Sequence, residues 1–425
     1  MKKLLPALFA ALFAISCPGE RVLFFGDSIT HGGKYIFYLQ LFENLRHPGS
    51  GVRYLNGGRS GGTARTGLEI FDREIAASRP DRVIAMFGMN DIGRHLYAEA
   101  EPDAKTAAAR KRSLDKYRGN LTELVGRFRD SGIPLSLMTP TPFDQYTVRD
   151  VPNLPYCNES GGSAAAEIVR EIAASNRLGL IELHAPLTAI WKAHAKDFVF
   201  ANDRVHPGDE GHLLVAANIL EALGVSPIVN EIEVRASAGR SAAFDYAPGA
   251  LPFPMMPEYA KDLEFYPFTE RFNREIVRVT GLVPGRYSLA FDGKAVGEFS
   301  AEEFAAGVNV ATLETPNQLR ARELVPVMRE LQRIAARYRN VVLVRRLIED
   351  AKVDPADRAS ADKWLDGYLD GLRTKPWFAG VKGWVDVYRA DRDLEAESLA
   401  KIEALYARLA AVRPAVSKIT IVKAD

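Results

Sequence analysis

The chain has 425 residues, more than one average domain needs, and 47% of them are hydrophobic while 26% are charged. This composition is typical of a globular protein and excludes a disordered or fibrous one. The formal net charge is +1. The overall charge therefore gives no reason to expect nucleic acid or an anionic membrane surface as a partner.

The N-terminus reads "MKKLLPALFAALFAISC", with two lysines, a short apolar stretch and then small residues. This pattern predicts a signal peptide over residues 1–17 and an exported protein, periplasmic or extracellular. The alternative is a buried N-terminal helix. The ending "AISC" approximates a bacterial lipobox, but Ala14 and Ser16 also suit ordinary cleavage, so lipidation of Cys17 stays open. The other cysteine, Cys157, is expected to be an unpaired and unreactive thiol.

Short apolar runs alternate with helical patterns between residues 18 and 225, which form the first predicted domain. The runs predict buried strands at 21–25, 52–55, 82–87, 134–138 and 178–183. Helical periodicity lies near 35–45, 66–78, 113–131, 164–176 and 211–223. The alternation predicts an α/β fold, a three-layer α/β/α sandwich with a central parallel sheet. Two connections, about 92–112 and 139–162, are longer than needed and are candidate functional loops.

The pattern changes after residue 225. Residues 226–315 alternate apolar and polar positions and predict a small antiparallel β module, with Asp292-Gly293 as a type I′ hairpin turn. Residues 316–425 are mainly helical, and the tail "SKITIVK" predicts a strand that returns to the β module. Two apolar stripes at helical spacing are expected to be core: Leu324, Met328, Leu331 and Ile334, and Leu399, Ile402, Tyr406 and Leu409.

Four segments place polar or glycine residues at the ends of predicted strands. Ser28 follows the first strand in "FFGDSIT", glycines follow the second in "NGGRSGGTA" (56–64), and Asn90 follows the third in "FGMND". Asp203 and His206 share "DRVHP" before the last helix of the domain. Ligands of open parallel sheets bind beyond the carboxyl ends of the strands. A carboxylate that orients a histidine, which activates a serine, is the logic of a catalytic triad.

These motifs, in this order, resemble those of the SGNH or GDSL-type hydrolases. The resemblance implies that Ser28 is the nucleophile, His206 the general base and then acid, and Asp203 the residue that orients His206. It also implies an oxyanion hole made by the backbone N–H groups of Ser28 and Gly61 and the side chain of Asn90. Neighbouring glycines offer other registers for the Gly61 position: Gly57, Gly58 and Gly62. No cofactor and no metal are expected.

A rival nucleophile is Ser60, because "GRSGG" (58–62) matches the G-x-S-x-G elbow of α/β-hydrolases. Against it, such enzymes place the acid and the histidine on separate loops, and the elbow leaves "GDSIT" and "GMND" unexplained. No His, Asp, Glu or Cys cluster has metal-ligand spacing. The remaining histidines of interest are expected to be surface or structural residues: His31, His184, His194 and His212.

The substrate follows only from the resemblance and the predicted export. Residues 275–316 are similar to a β extension of some secreted bacterial members, several of which look like carbohydrate esterases. We therefore expect hydrolysis of acetyl or other small acyl esters on a polysaccharide or oligosaccharide. Tyr97, Tyr146 and Tyr156 lie in the long loops and could stack on sugars, although local packing explains each equally well. A lipolytic esterase and a non-catalytic carbohydrate-binding or envelope protein stay open as alternatives.

Overall fold

The structure is a computed structural model that describes residues 19–237, 239–257 and 264–424. The predicted signal peptide and Cys17 lie outside the described residues, so export and lipidation stay predictions. No helix in the described ranges is long and apolar enough to cross a membrane. The chain divides into two compact units, one running to Arg322 and resuming at Arg413, the other Glu323–Val412.

Five parallel strands form the central sheet of the first unit. They are β1 (Arg21–Gly26), β2 (Arg53–Gly58), β3 (Arg82–Met86), β4 (Leu135–Met138) and β5 (Gly179–Ile181). Their order is β2-β1-β3-β4-β5, and all five fall on the predicted apolar runs. The sheet has β2 on one side of β1 and β3 on the other. The carboxyl ends of β1 and β3 therefore form a topological switch point, where open α/β sheets bind ligands.

Helices cover both faces of this sheet and confirm the three-layer α/β/α sandwich. They are α1 (Ser28–Gly32), α2 (Lys34–Arg46), α3 (Ala64–Ser78), α4 (Ala104–Ser131), α5 (Ser163–Asn176), α6 (His184–His194) and α7 (Asp209–Ala222). Successive strand residues point to opposite faces. Accordingly, the Phe25 ring packs on Phe87 and on Phe128 of α4, whereas the Phe24 ring packs on Tyr35 of α2.

Two helical segments differ from the sequence-based expectation. Helix α4 begins at Ala104, well before the predicted start at 113, because the Asp103 side chain caps it by accepting from Thr106 N at 2.7 Å. The intervening "AKTAAARKR" is rich in good helix formers but carries no apolar stripe, so periodicity misses it. Helix α6 was not predicted either. The loop after β4 ends in a π-helical turn, Cys157–Gly162.

Two further sheets form the β module. Their strands are β6 (Ile228–Arg235), β7 (Ser241–Tyr246), β8 (Arg274–Thr280), β9 (Arg286–Phe291), β10 (Lys294–Ser300), β11 (Val308–Asn309) and β12 (Ser417–Lys423). One sheet is antiparallel in the order β10-β9-β12-β7, and the other has the order β11-β8-β6, in which β6 and β8 run parallel. Asp292 and Gly293 have φ of 48° and 83°, as a type I′ turn requires. The tail strand β12 returns to the module as predicted.

The β module and the parallel sheet belong to the same compact unit. Arg46, at the end of α2, donates hydrogen bonds to the carbonyls of Ser226, Ile228 and Phe272. Phe272 lies in the short helix α8 (Phe268–Phe272), and a second short helix, α9 (Ala301–Ala306), follows β10. Helix α2 and the β module are therefore joined by direct hydrogen bonds. The predicted domain boundaries at 225 and 315 stay predictions.

Inside the β module one carboxyl group is fully enclosed. Glu275 of β8 is 1% exposed and accepts from the Tyr246 hydroxyl at 2.6 Å and from the Asn230 amide at 3.2 Å. Burial raises the pKa of Glu275 to about 7. This residue therefore holds its proton well above the pH at which an exposed glutamate loses it.

The second unit is helical. Its helices are the later part of α10 (Pro316–Asp350), α11 (Arg358–Leu372), α12 (Phe378–Asp391) and α13 (Glu395–Ala411). Val344, Leu365 and Val385, from three of these helices, share one fully buried cluster. The first predicted stripe of α10 is buried throughout. The second, on α13, is core only in part, because Leu409 is buried whereas Leu399 is 44% exposed.

Candidate active site

Ser28 begins the short helix α1 directly after β1. The preceding Asp27 caps this helix, because its Oδ1 accepts from Ile29 N at 2.9 Å. The backbone N–H groups in the first turn of a helix have no intrahelical acceptor. Ser28 therefore combines a half-buried hydroxyl with an N–H that is available to a ligand.

His206 contacts Ser28 although the two residues are 178 positions apart in the chain. Its Nε2 is 2.8 Å from Ser28 Oγ, and its Nδ1 is 2.6 Å from Asp203 Oδ2. The other carboxylate oxygen of Asp203 accepts from the backbone N–H groups of Val205 (3.0 Å) and His206 (2.8 Å). The tight turn "DRVH" thus fixes its own carboxylate, and that carboxylate fixes the imidazole.

The charge of Asp203 decides the tautomer of the histidine. Burial raises the pKa of Asp203, but the hydrogen bonds from the His206 ring and backbone outweigh it and hold the pKa well below its usual value. An ionised carboxylate only accepts, so Nδ1 must donate to it. In the neutral ring Nε2 is then the acceptor, and the Ser28 hydroxyl donates to it.

The predicted oxyanion hole is the second group of site residues, and its members have hydrogen-bond donors to offer. Gly61 is exposed, has φ of 70°, and has open space where a side chain would stand. The N–H of Gly62, by contrast, already donates to Arg59 O at 2.9 Å. Of Gly61 and Gly62, only Gly61 has a backbone N–H that donates no hydrogen bond within the described residues. The Asn90 amide donates to Gly62 O at 2.9 Å, which leaves its second N–H available.

Asn56, at the start of the second motif, ties β2 to the helix that carries Ser28. Its amide donates to Thr30 O at 2.7 Å, while its oxygen accepts from Gly58 N at 2.9 Å. At Gly58 a Cβ would stand only 2.1 Å from His31 N, so this position requires glycine. The sequence pattern showed these residues, but their supporting role follows only from the contacts.

Two carboxyl groups flank the motif residues along the chain, Asp27 directly before Ser28 and Asp91 directly after Asn90. Burial raises the pKa of Asp27 to about 6 and that of Asp91 to about 7. Asp91 Oδ1 accepts from Ala64 N at 3.0 Å, and its Oδ2 is buried without a partner. Asp91 therefore connects the third motif to the start of α3. Neither acid was singled out from the sequence.

The rival nucleophile is placed differently. Ser60 is exposed, and no hydrogen bond joins it to a histidine in the part of the chain that the structure describes. His184 and His212 are buried, with His184 bound to Asn158 and His212 stacked on Tyr35. Residues 19–237, 239–257 and 264–424 contain no group of three His, Cys, Asp or Glu side chains that could hold a metal ion.

The three loop tyrosines differ in exposure. Tyr97 is 2% exposed beneath the Arg110 guanidinium, so it belongs to the core. Tyr146 is half-buried, its hydroxyl oxygen accepts a hydrogen bond from the Asn158 amide at 2.9 Å, and Lys192 lies over its ring. Tyr156 is 37% exposed and is the most exposed of the three.

Cys157, next to Tyr156, is a free and buried cysteine. Burial raises the pKa of its thiol to about 12. A buried thiol that keeps its proton is a poor nucleophile. This residue therefore contributes packing rather than chemistry.

An α/β/α sandwich with a Ser–His–Asp chain at its switch point defines a hydrolase of the SGNH type. Residues 24–214, the segment that holds Ser28, Asp203 and His206, match the model of the GDSL-like lipase/acylhydrolase family, which supports the SGNH/GDSL assignment for this segment. The protein is accordingly a carboxylic ester hydrolase.

The chain is also similar to individual proteins. An acetylxylan esterase of Geobacillus stearothermophilus is 27% identical over 221 residues, which are 48% of this chain and 94% of that protein. A crystal structure of that organism's acetylxylan esterase is 25% identical, with a TM-score of 0.39 over 49% of this chain and 96% of its own. A gut microbial diltiazem-metabolizing enzyme is 24% identical and shares the fold, with a TM-score of 0.83 over 96% and 99% of the two chains.

Proposed function

We propose that this protein is a serine esterase that removes acetyl or other small acyl groups from a polysaccharide or oligosaccharide. The observation that carries the proposal is the unbroken chain of hydrogen bonds from Asp203 through His206 to the Ser28 hydroxyl. Such a chain lowers the cost of making an alkoxide-like nucleophile, because the proton has an acceptor already in place.

In the first half of the reaction Ser28 Oγ attacks the ester carbonyl and His206 Nε2 takes the hydroxyl proton. The N–H groups of Ser28 and Gly61 and the Asn90 amide donate to the oxyanion. Collapse of this intermediate breaks the bond to the alcohol, which leaves with the proton from His206.

In the second half water attacks the acyl-Ser28 ester and His206 takes one of its protons. The bond between the acyl carbon and Ser28 Oγ breaks, and His206 returns the proton to Ser28. The products are a carboxylic acid and a free serine. Every proton in the cycle passes through one nitrogen, so no further acid or base is required.

Three features support a small acyl group on a sugar. The relative whose name states an activity is an acetylxylan esterase. The side chains of His206 and Asp203 are 46% and 55% exposed, so the site is open to a bulky alcohol such as a glycan. Tyr156 is exposed in the loop after β4, where an aromatic face could take a sugar ring.

The test compares p-nitrophenyl acetate with a long-chain p-nitrophenyl ester, followed by acetylated xylo-oligosaccharides with acetate release as the readout. Ser28→Ala is the inactive variant, and Ser60→Ala is its matched control. We expect the acetyl ester to be preferred, Ser28→Ala to be inactive but folded, and acetate to be released from the oligosaccharide.

The other outcomes each point to a different conclusion. Preference for the long chain would replace the proposal by a lipolytic esterase. Full activity in Ser28→Ala would assign the nucleophile elsewhere, with Ser60 tested first. A wild-type protein that is inactive on every ester would favour a carbohydrate-binding or envelope protein on a hydrolase scaffold.

A further inference from the structure

Arg204 is a buried, positively charged residue that lies in sequence between Asp203, which orients the imidazole, and His206, which carries the proton. It is 2% exposed, although it lies in the loop "DRVH" between two exposed side chains, Asp203 and His206. Its φ of 69° places it in the left-handed region, which non-glycine residues rarely adopt. A buried charge in an uncommon backbone conformation persists only where its surroundings hold it.

What holds Arg204 is the backbone of the long loop after β4. Its Nη1 donates to Asp144 O at 2.9 Å and to Thr147 O at 3.0 Å. Its Nε and Nη2 donate to Val151 O (3.3 and 3.0 Å), and Nε also donates to Pro152 O at 3.0 Å. The planar guanidinium thus gathers four carbonyl oxygens that span nine residues of the loop.

Residues of the loop also donate hydrogen bonds to backbone carbonyls in and next to the turn. Asp144 N donates to the carbonyl of Arg204 at 2.8 Å. Arg149, from the same loop, donates to the carbonyl of Ala201, two residues before Asp203. The loop and the turn that carries the dyad therefore share hydrogen bonds at both the side chain and the main chain.

We infer that Arg204 is a positioning residue that couples the loop at 144–152 to the Asp203–His206 dyad. The inference rests on the proposed serine esterase, because its effect is read at Ser28. Loss of the guanidinium leaves four carbonyl oxygens without donors and releases the turn. His206 Nε2 then no longer stays within hydrogen-bond distance of Ser28 Oγ.

Lysine is a poor substitute in this position. Its ammonium group is a single point with three donors, whereas the guanidinium is a fixed fork with five. Arg204→Lys keeps the charge and the length of the stem but cannot reach carbonyls at both ends of the loop segment. This variant is therefore a conservative probe of the fork itself.

The experiment measures the rate at which a p-nitrophenyl phosphonate ester modifies Ser28. In this step the Ser28 Oγ–P bond forms, p-nitrophenolate leaves, and the hydroxyl proton passes through His206 to solvent. The matched control is Arg46→Lys, because Arg46 also donates to several backbone carbonyls but at the seam with the β module. Thermal unfolding of each variant is measured in parallel, and rates are taken well below the lower melting temperature.

We expect Arg204→Lys to slow phosphonylation at least tenfold and to lower kcat on p-nitrophenyl acetate by a similar factor. Arg46→Lys should lose stability while its phosphonylation rate stays within twofold of the wild type. If Arg204→Lys changes the melting temperature alone, Arg204 is a purely structural residue and the inference is wrong. A wild type whose Ser28 is never modified would instead contradict the proposed function.

A measurement on the wild-type protein covers the case in which Arg204→Lys does not fold. The amide of Asp144 donates to Arg204 and the amide of His206 donates to Asp203. If the two segments open as one unit, hydrogen exchange should give these amides protection within about threefold of each other. An Asp144 amide that exchanges more than tenfold faster would show independent opening and would overturn the coupling.

Discussion

Asp203→Asn tests whether the carboxylate determines the tautomer of His206. The amide oxygen would keep the two backbone N–H bonds of Val205 and His206, because only an acceptor satisfies them. The NH₂ group would then face His206 Nδ1. The ring would respond by protonating Nε2 instead, and Nε2–H cannot accept the proton of Ser28.

The size of the effect follows from how exposed the carboxylate is. The corresponding change in a buried triad lowers kcat by about 10⁴-fold. The Asp203 side chain is 55% exposed, so water can take over part of its role. We therefore expect a loss of about 10²–10³-fold in kcat, which corresponds to about 3–4 kcal/mol of transition-state stabilisation.

The assay is steady-state hydrolysis of p-nitrophenyl acetate at pH 7, with circular dichroism to show that the variant folds. Asp197→Asn is the control, because Asp197 is an exposed aspartate that lies outside the "DRVH" turn. It should keep wild-type activity. A loss of less than tenfold in Asp203→Asn, with the fold intact, would refute the role given to this carboxylate.

Three further substitutions test the oxyanion donor, the rival nucleophile and the buried acid of the β module. Asn90→Ala should lower kcat about 10²–10³-fold with little change in KM, since it removes one oxyanion donor; an unchanged kcat would remove Asn90 from the site. Ser60→Ala should keep kcat/KM within twofold, and a large loss there would revive the rival nucleophile. Glu275 binds a proton up to about pH 7 in the folded protein but only to about 4.5 when unfolded, so its contribution to stability falls by up to about 3 kcal/mol as pH rises through this window. Urea unfolding of Glu275→Gln at pH 5 and pH 8 should therefore show a smaller difference than the wild type, and an equal difference would contradict the buried-acid argument.

The fold could be predicted where burial leaves a periodic pattern. The five strands of the parallel sheet are continuous apolar runs, because both of their faces are covered. The start of α4 could not be predicted in this way, because its first turns expose small and basic residues and only the Asp103 cap marks them. The parallel pairing of β6 with β8 was also out of reach, since alternation within a strand does not reveal the direction of its neighbour.

The site residues also differ in whether the sequence alone could predict them. Ser28, Asn90, Asp203 and His206 could be proposed from short motifs, because each follows a strand or precedes a helix at one sheet edge. Arg204 also lies inside such a motif. Its residue type, however, does not predict that its side chain is buried and donates to four carbonyls of a loop distant in sequence. Contacts of this kind depend on tertiary structure alone, and local sequence carries no record of them.

Strand β12 has a consequence for how the protein is made. It pairs with β7 on one side and β9 on the other, although both are translated before the whole segment Glu323–Val412. Until residues 417–423 leave the ribosome, the nascent β module holds two open strand edges, which are sites of intermolecular pairing. The hydrolase half can meanwhile form its sheet from residues synthesised far earlier. A chain lacking 417–423 should therefore contain every residue of the esterase site and still accumulate as aggregate, which the soluble fraction after expression would show.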